Sequence, residues 1–175
     1  MILKGERCTL RPWRLADAAP LVRHANNLNV AKHLRDRFPH PYTTKDAAGF
    51  LSAVSKEDPP ANFAIEVAGE AAGGLGYVAG HDVERYSAEV GYWLGESCWN
   101  RGVVTEALAL FTRYAFAELG LLRLFALPFA DNIASIRVLE KAGYSAEGVL
   151  RSSSVKFGKP RNQAIYAIVN ERWSI

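Results

Sequence analysis

Only two of the 175 residues are cysteine, Cys8 and Cys98. That is too few for a disulfide framework of the secreted kind, and two small buried or half-buried thiols are expected instead. Charge of one sign is not in excess: 21 basic residues against 18 acidic ones leave +3, spread along the chain. Such a balance tolerates an anionic ligand but does not point to nucleic acid. A long hydrophobic run is missing too. The most apolar stretch, Leu119 to Ala130, is interrupted by Gly120, Arg123 and Pro128 and falls short of the roughly 20 residues of a membrane span. Met1 to Pro12 carries Lys4, Glu6, Arg7 and Arg11 and lacks the apolar segment of a signal peptide. A cytoplasmic protein without membrane or nucleic-acid partners is the simplest expectation. The four histidines, His24, His33, His40 and His81, show no ligand spacing, so no metal is expected.

What is present is ordinary in amount. Apolar residues make up 49%, charged ones 22% and aromatics 11%, which excludes disorder for the bulk of the chain. The length suits one domain over residues 1–175, able to bury roughly 70% of its unfolded surface without disulfides or a structural metal.

Arg7 to Trp13 reads as a first strand, with Pro12 confining it to an edge or an end. Leu15, Ala18, Ala19, Val22 and Ala25 recur at helical spacing over Leu15 to Asn26, and a shorter helical piece covers about Leu28 to Leu34. Thr43-Thr-Lys-Asp46 is a helix-start signal, with Ala47, Phe50, Leu51 and Val54 as the apolar face. Strands follow at Asn62 to Ala68, Ala71 to Ala79, about a Gly69-Glu70 turn, and Ser87 to Leu94. Val104, Ala107, Leu108, Phe111 and Ala115 then mark a helix closed by Gly120. Arg123 to Phe129 is a strand, and Ile133, Ile136, Leu139 and Ala142 mark a helix. Two strands, about Ser145 to Ser153 and Asn162 to Asn170, finish the chain. The order predicts an α/β protein with one mixed sheet and helices on both faces.

Three places carry chemistry. The first is Glu89-Val-Gly-Tyr-Trp-Leu94, then Gly95-Glu-Ser-Cys-Trp-Asn-Arg-Gly102, then the helix from Val103. A helix start presents unpaired N–H groups and about half a positive charge. Gly102 allows close approach, Arg101 adds a cation and Thr105 a hydroxyl. This is a diphosphate cradle or an ordinary loop whose Gly caps a helix. It is not a P-loop, and the G-x-G-x-x-[GA] match at Gly74 to Ala79 leads to no helix, so it is discounted. The second place is Asp131-Asn132-Ile-Ala-Ser135, where Asn132 and Ser135 share the first turn of a helix. Asn132 is either an N-cap bonding the Ser135 amide or a ligand-binding group. The third is Glu89, on the strand face of Gly91 and Trp93. It is either a sheet-edge carboxylate facing water or a general base acting directly or through water.

Together these segments resemble the GNAT superfamily of acyl-CoA-dependent N-acyltransferases, and within it the RimJ/RimL-like branch, which acetylates protein N-termini and some small amines. The resemblance runs through Thr9-Leu-Arg-Pro, Phe38 to Ala47, Ala88 to Leu94 with Trp99 to Leu108, and Phe129 to Tyr144 with Glu147 to Arg151. It implies a mostly antiparallel central sheet with a V-shaped opening between the Glu89 and Arg123 strands, holding acetyl-CoA. The pantetheine arm would pair with backbone at Tyr92, Trp93 and Leu94. The pyrophosphate would rest on amides of Trp99, Asn100, Arg101, Gly102, Val103 and Val104, with the Thr105 hydroxyl beside them. Glu89 would be the base, Ser135 the acid for the departing thiolate, and Asn132 a contact to the cofactor arm. The tyrosine acid of many relatives falls here on Leu139, which cannot serve. The implied reaction is direct acetyl transfer to a primary amine, with a homodimer as a family expectation. Substrate choice would lie in Arg35 to Tyr42 and Asp82 to Tyr86. An acetyl-cysteine route through Cys98 is disfavoured by its place in the phosphate loop. A non-catalytic acyl-CoA-binding module or sensor would share every cofactor feature.

Overall fold

The computed structural model describes residues 1–174. Among them are eight strands: β1 (Leu3–Lys4), β2 (Thr9–Pro12), β3 (Asn62–Val67), β4 (Glu70–Ala79), β5 (Ser87–Leu94), β6 (Arg123–Ala126), β7 (Ser145–Lys156) and β8 (Lys159–Val169). They form one sheet in the order β1-β2-β3-β4-β5-β6-β8-β7. Five α-helices accompany it among the described residues: α1 (Ala18–Ala25), α2 (Leu28–Ala31), α3 (Thr44–Val54), α4 (Val103–Ala117) and α5 (Ile133–Lys141). The expected mixed, mostly antiparallel sheet is therefore present. The contacts gather the chain into two compact units, one of Met1–Gly76 with Tyr92–Ala107, the other of Tyr77–Gly91 with residues from Leu108 onward.

In the first unit β1, β2, β3 and β4 pair antiparallel in sequence order. Trp13, Leu21, Leu51, Val54, Ala64 and Ala71 belong to one buried cluster, each large apolar side chain stabilising by about 1.5–3 kcal/mol when removed from water. The Trp13 and Phe50 rings meet edge-on at 5.4 Å. Helix α3 starts where the sequence signals it. The Thr43 hydroxyl oxygen accepts from the Asp46 amide at 3.3 Å, and the Asp46 carboxylate accepts from the Thr43 amide at 2.8 Å.

Three expectations are corrected here. The strand expected over Arg7 to Trp13 is β2 and spans only Thr9–Pro12, and a two-residue β1 precedes it, too short for any pattern to announce. Leu15 is 66% exposed and opens a 3-10 turn over Leu15–Asp17, so α1 begins only at Ala18. The cause is Asp17, whose carboxylate accepts from the Arg14 amide at 2.8 Å and from both Arg11 Nη atoms at 2.8 Å, tightening this turn. Arg11 Nε also donates to Glu66, and Arg11 and Asp17 are both buried. Burial pushes the Asp17 carboxyl up, but the hydrogen bonds from Arg11 and Arg14 outweigh it and hold the group below its ordinary value. The β3–β4 turn falls on Ala68-Gly69 rather than Gly69-Glu70. Both residues have positive φ, 51° and 83°, as the tight hairpin turns require.

In the second unit β5 and β6 run parallel, β6 and β8 antiparallel, and β8 and β7 antiparallel. The α4 residues Leu108, Phe111 and Ala115 are fully buried, as are Leu124 and Leu139. The Thr112 and Tyr144 hydroxyls lie 2.9 Å apart inside this core. The final hairpin is longer than expected, because Phe157 and Gly158, at φ 51° and 71°, make its tight turn.

Candidate active site

In the first unit β5 ends at Leu94, and the Gly95 amide donates to the Ala72 carbonyl at 2.8 Å. A 3-10 turn over Glu96–Cys98 follows. The Trp99 indole Nε1 donates to the Leu94 carbonyl at 2.7 Å, closing the turn on itself. Asn100 and Gly102 both have positive φ, 61° and 73°. A left-handed conformation at Gly102, where a Cβ is disfavoured, delivers the chain into α4 at Val103. The first-turn amides of α4 have no carbonyl partner within the helix and carry its positive dipole end. Val103 is buried, so that residue offers its backbone alone, whereas Arg101 is exposed.

The turn is held by two carboxylates that sequence reasoning missed. Glu96 accepts from Asn27 Nδ2 at 2.6 Å and from Asn29 Nδ2 at 3.1 and 3.2 Å, and these bonds hold its carboxyl below the ordinary value. Glu106, in the first turn of α4, accepts from three consecutive amides: Glu6 at 3.0 Å, Arg7 at 2.7 Å and Cys8 at 3.0 Å. Burial pushes the Glu106 carboxyl up, but these amides outweigh it and keep the group below its ordinary value. Both partners lie far away in sequence, so no local spacing could reveal them. Beside the turn, a cavity of about 280 Å³ is lined by His24, Glu70 and Arg101 among others. His24 and Arg23 both bind the Glu70 carboxylate there. Cys98 is buried, as expected of a structural thiol.

The second unit carries the other expected residues. Glu89 is half-buried in β5 and sits opposite Phe125, in a ladder that joins Ser87, Ala88 and Glu89 to Arg123, Leu124 and Phe125. Its strand is therefore interior to the sheet rather than at an edge, and its side chain is half exposed. Asn132 is the N-cap of α5, its Oδ1 accepting from the Ser135 amide at 3.2 Å. That oxygen is committed to the helix. Ser135 is half-buried one turn in, and Leu139 is fully buried in the core. Asp131, before the cap, pairs with Arg161.

A family model described as an acetyltransferase (GNAT) domain matches residues 7–145. The chain is 28% identical over 175 residues to the uncharacterized N-acetyltransferase p20 of Bacillus licheniformis, covering 98% of each. It is 40% identical over 85 residues to the uncharacterized N-acetyltransferase YoaA of Bacillus subtilis, a match spanning 49% of this chain and 48% of that one. Among solved structures it is similar to Mycobacterium smegmatis RimJ in complex with CoA-disulfide, with a TM-score of 0.83 and 25% identity over 98% of this chain and 88% of that one.

Proposed function

The chain belongs to the GNAT acetyltransferase family, and from that premise we propose that it moves an acetyl group from acetyl-CoA to a primary amine, on a protein N-terminus or a small molecule, by direct transfer in a ternary complex. The observation that carries this reading is the turn from Leu94 to Gly102, where Trp99 and the left-handed residues Asn100 and Gly102 lead into a helix start, whose first amides have no carbonyl partner within the helix. A diphosphate suits such amides, because they donate to anionic oxygens without a side chain intervening. The amides from Trp99 to Val104 would hold it, with Arg101 as a cation and the Thr105 hydroxyl in the same turn. Tyr92 and Trp93 would offer strand backbone to the pantetheine arm. Leu94 offers less, since its carbonyl already accepts from Trp99.

In the transfer, the amine nitrogen forms a bond to the thioester carbonyl carbon as the carbon–sulfur bond breaks. Glu89 takes the first proton that the ammonium must lose, directly or through one water; Ser135 supplies one to the departing thiolate, and the second proton released as the nitrogen becomes an amide restores the serine hydroxyl. Asn132 has Nδ2 left for the cofactor arm, its Oδ1 being used by the cap. Holding two reactants in line is worth up to about 7–11 kcal/mol of barrier, so placement does most of the work.

The test is steady-state turnover of Glu89→Gln and Ser135→Ala at saturating acetyl-CoA, with thiol release followed over a panel of peptide N-termini and small amines. A loss of about 10²-fold or more for Glu89→Gln fits general-base work. Full turnover in both variants rejects these roles. Coenzyme binding without thiol release for any amine makes the chain a binding module instead.

A further inference from the structure

We propose that Arg7 is a further phosphate-binding residue of the acyl-CoA turn and that Glu106 is the residue that positions it there; this rests on the acyl-CoA reading above. The Glu106 carboxylate fixes the turn between β1 and β2 by accepting its three successive amides, Glu6, Arg7 and Cys8. A Cβ on Gly5 would stand 2.4 Å from Glu106 Oε2, so the seat exists because position 5 has no side chain. Once seated, the turn directs Arg7 across the start of α4. A Cβ on Gly102 would meet Arg7 Nε at 3.4 Å and Cδ at 3.5 Å. The Arg7 stem thus lies on the left-handed glycine from which the helix begins.

The guanidinium there retains donors. Its Nη1 stands 3.6 Å from Glu106 Oε1 and 3.7 Å from Glu6 Oε2, close enough for attraction and too far for hydrogen bonds. The side chain is 54% exposed. Glu106 would oppose an anion at this helix start, but its oxygens already accept three N–H groups and its side chain is only 18% exposed. Arg7 and Arg101 are then the cations of the turn. A planar, half-exposed guanidinium suits phosphate oxygens better than an ammonium does.

Titration calorimetry of the full chain with coenzyme A, across a range of salt, tests this. Arg7→Ala should weaken binding about 10-fold, the loss of one charge-assisted contact, and flatten the salt dependence. Arg7→Lys should recover part of the affinity. Glu106→Gln should weaken binding similarly, and the double variant should lose no more than either single one, because both remove the same contact. Repeating the series with 3′-dephospho-coenzyme A separates the sources: a ratio that collapses to one assigns Arg7 to the 3′-phosphate, and an unchanged ratio to the diphosphate. Arg7→Ala binding with wild-type affinity and salt slope overturns the proposal. So does additive loss in the double variant. Because Arg7 is exposed, its variants answer the question even where Glu106→Gln does not fold. A wild-type chain that binds no coenzyme A defeats the acyl-CoA reading itself, a different outcome from an indifferent Arg7.

Discussion

The Trp99 indole nitrogen donates to the Leu94 carbonyl oxygen at 2.7 Å, bridging the 3-10 turn over Glu96–Cys98 back to the end of β5. Trp99→Phe keeps most of the ring and removes the donor. One such bond is worth about 0.5–1.5 kcal/mol, so affinity for acetyl-CoA is expected to fall several-fold. Calorimetry checks this, and an unchanged affinity would mean that the 3-10 turn alone holds the geometry.

Two glycines make a contrasting pair. Gly102 sits at φ +73° at the start of α4, so Gly102→Ala should cost about 1–2 kcal/mol through the left-handed backbone. Gly49 lies inside α3 with nothing within 4 Å of an added Cβ. Gly49→Ala should stabilise by about 0.5–1 kcal/mol. Urea midpoints of the two variants are expected to move in opposite directions.

The Arg11–Asp17 pair is buried and doubly hydrogen-bonded. Removing Asp17 leaves the buried guanidinium with Glu66 as its remaining carboxylate partner. Breaking a pair of this kind costs about 3–5 kcal/mol, so Asp17→Ala should show a large drop in unfolding free energy by urea titration. A loss under about 1 kcal/mol would mean that Glu66 compensates.

Acid should act through the same groups. Asp17 and Glu106 are both held below their ordinary values by the donors around them. Their stabilisation is complete above the usual carboxylate range near pH 4. It is lost as pH falls through the lower folded values, where the unfolded chain binds more protons. Asp17→Asn and Glu106→Gln should each lower stability at neutral pH and flatten its decline in acid. An acid limb as steep as the wild type's would argue against this origin.

Local signals carried the sequence reading well. Thr43 and Asp46, three residues apart, announced the start of α3. Asn132 and Ser135 announced the start of α5. The strand–turn–helix from Glu89 to Thr105 was legible because a change from period two to period 3.6 marks it. The failures have physical causes. Leu15 fits the helical pattern, yet Asp17 is pulled toward Arg11 and the turn tightens before the helix can begin. The far end of β7 was obscure because nearly all of that strand is exposed, leaving no burial alternation to read. The clamp of Glu106 on Glu6 to Cys8 joins segments about a hundred residues apart, and periodicity says nothing at that distance.

Cys8 lies beneath that clamp, 5% exposed, its Sγ 3.5 Å from Glu106 Oε2. Burial, then the neighbouring Glu106 charge and hydrogen bond, push its thiol up to about 12. At neutral pH it is almost entirely protonated and so nearly inert toward alkylating reagents. Any iodoacetamide it does consume must arrive when the N-terminal turn has lifted off α4. The modification rate at this one sulfur is therefore a stopwatch for how often the chain's first few residues let go of the helix.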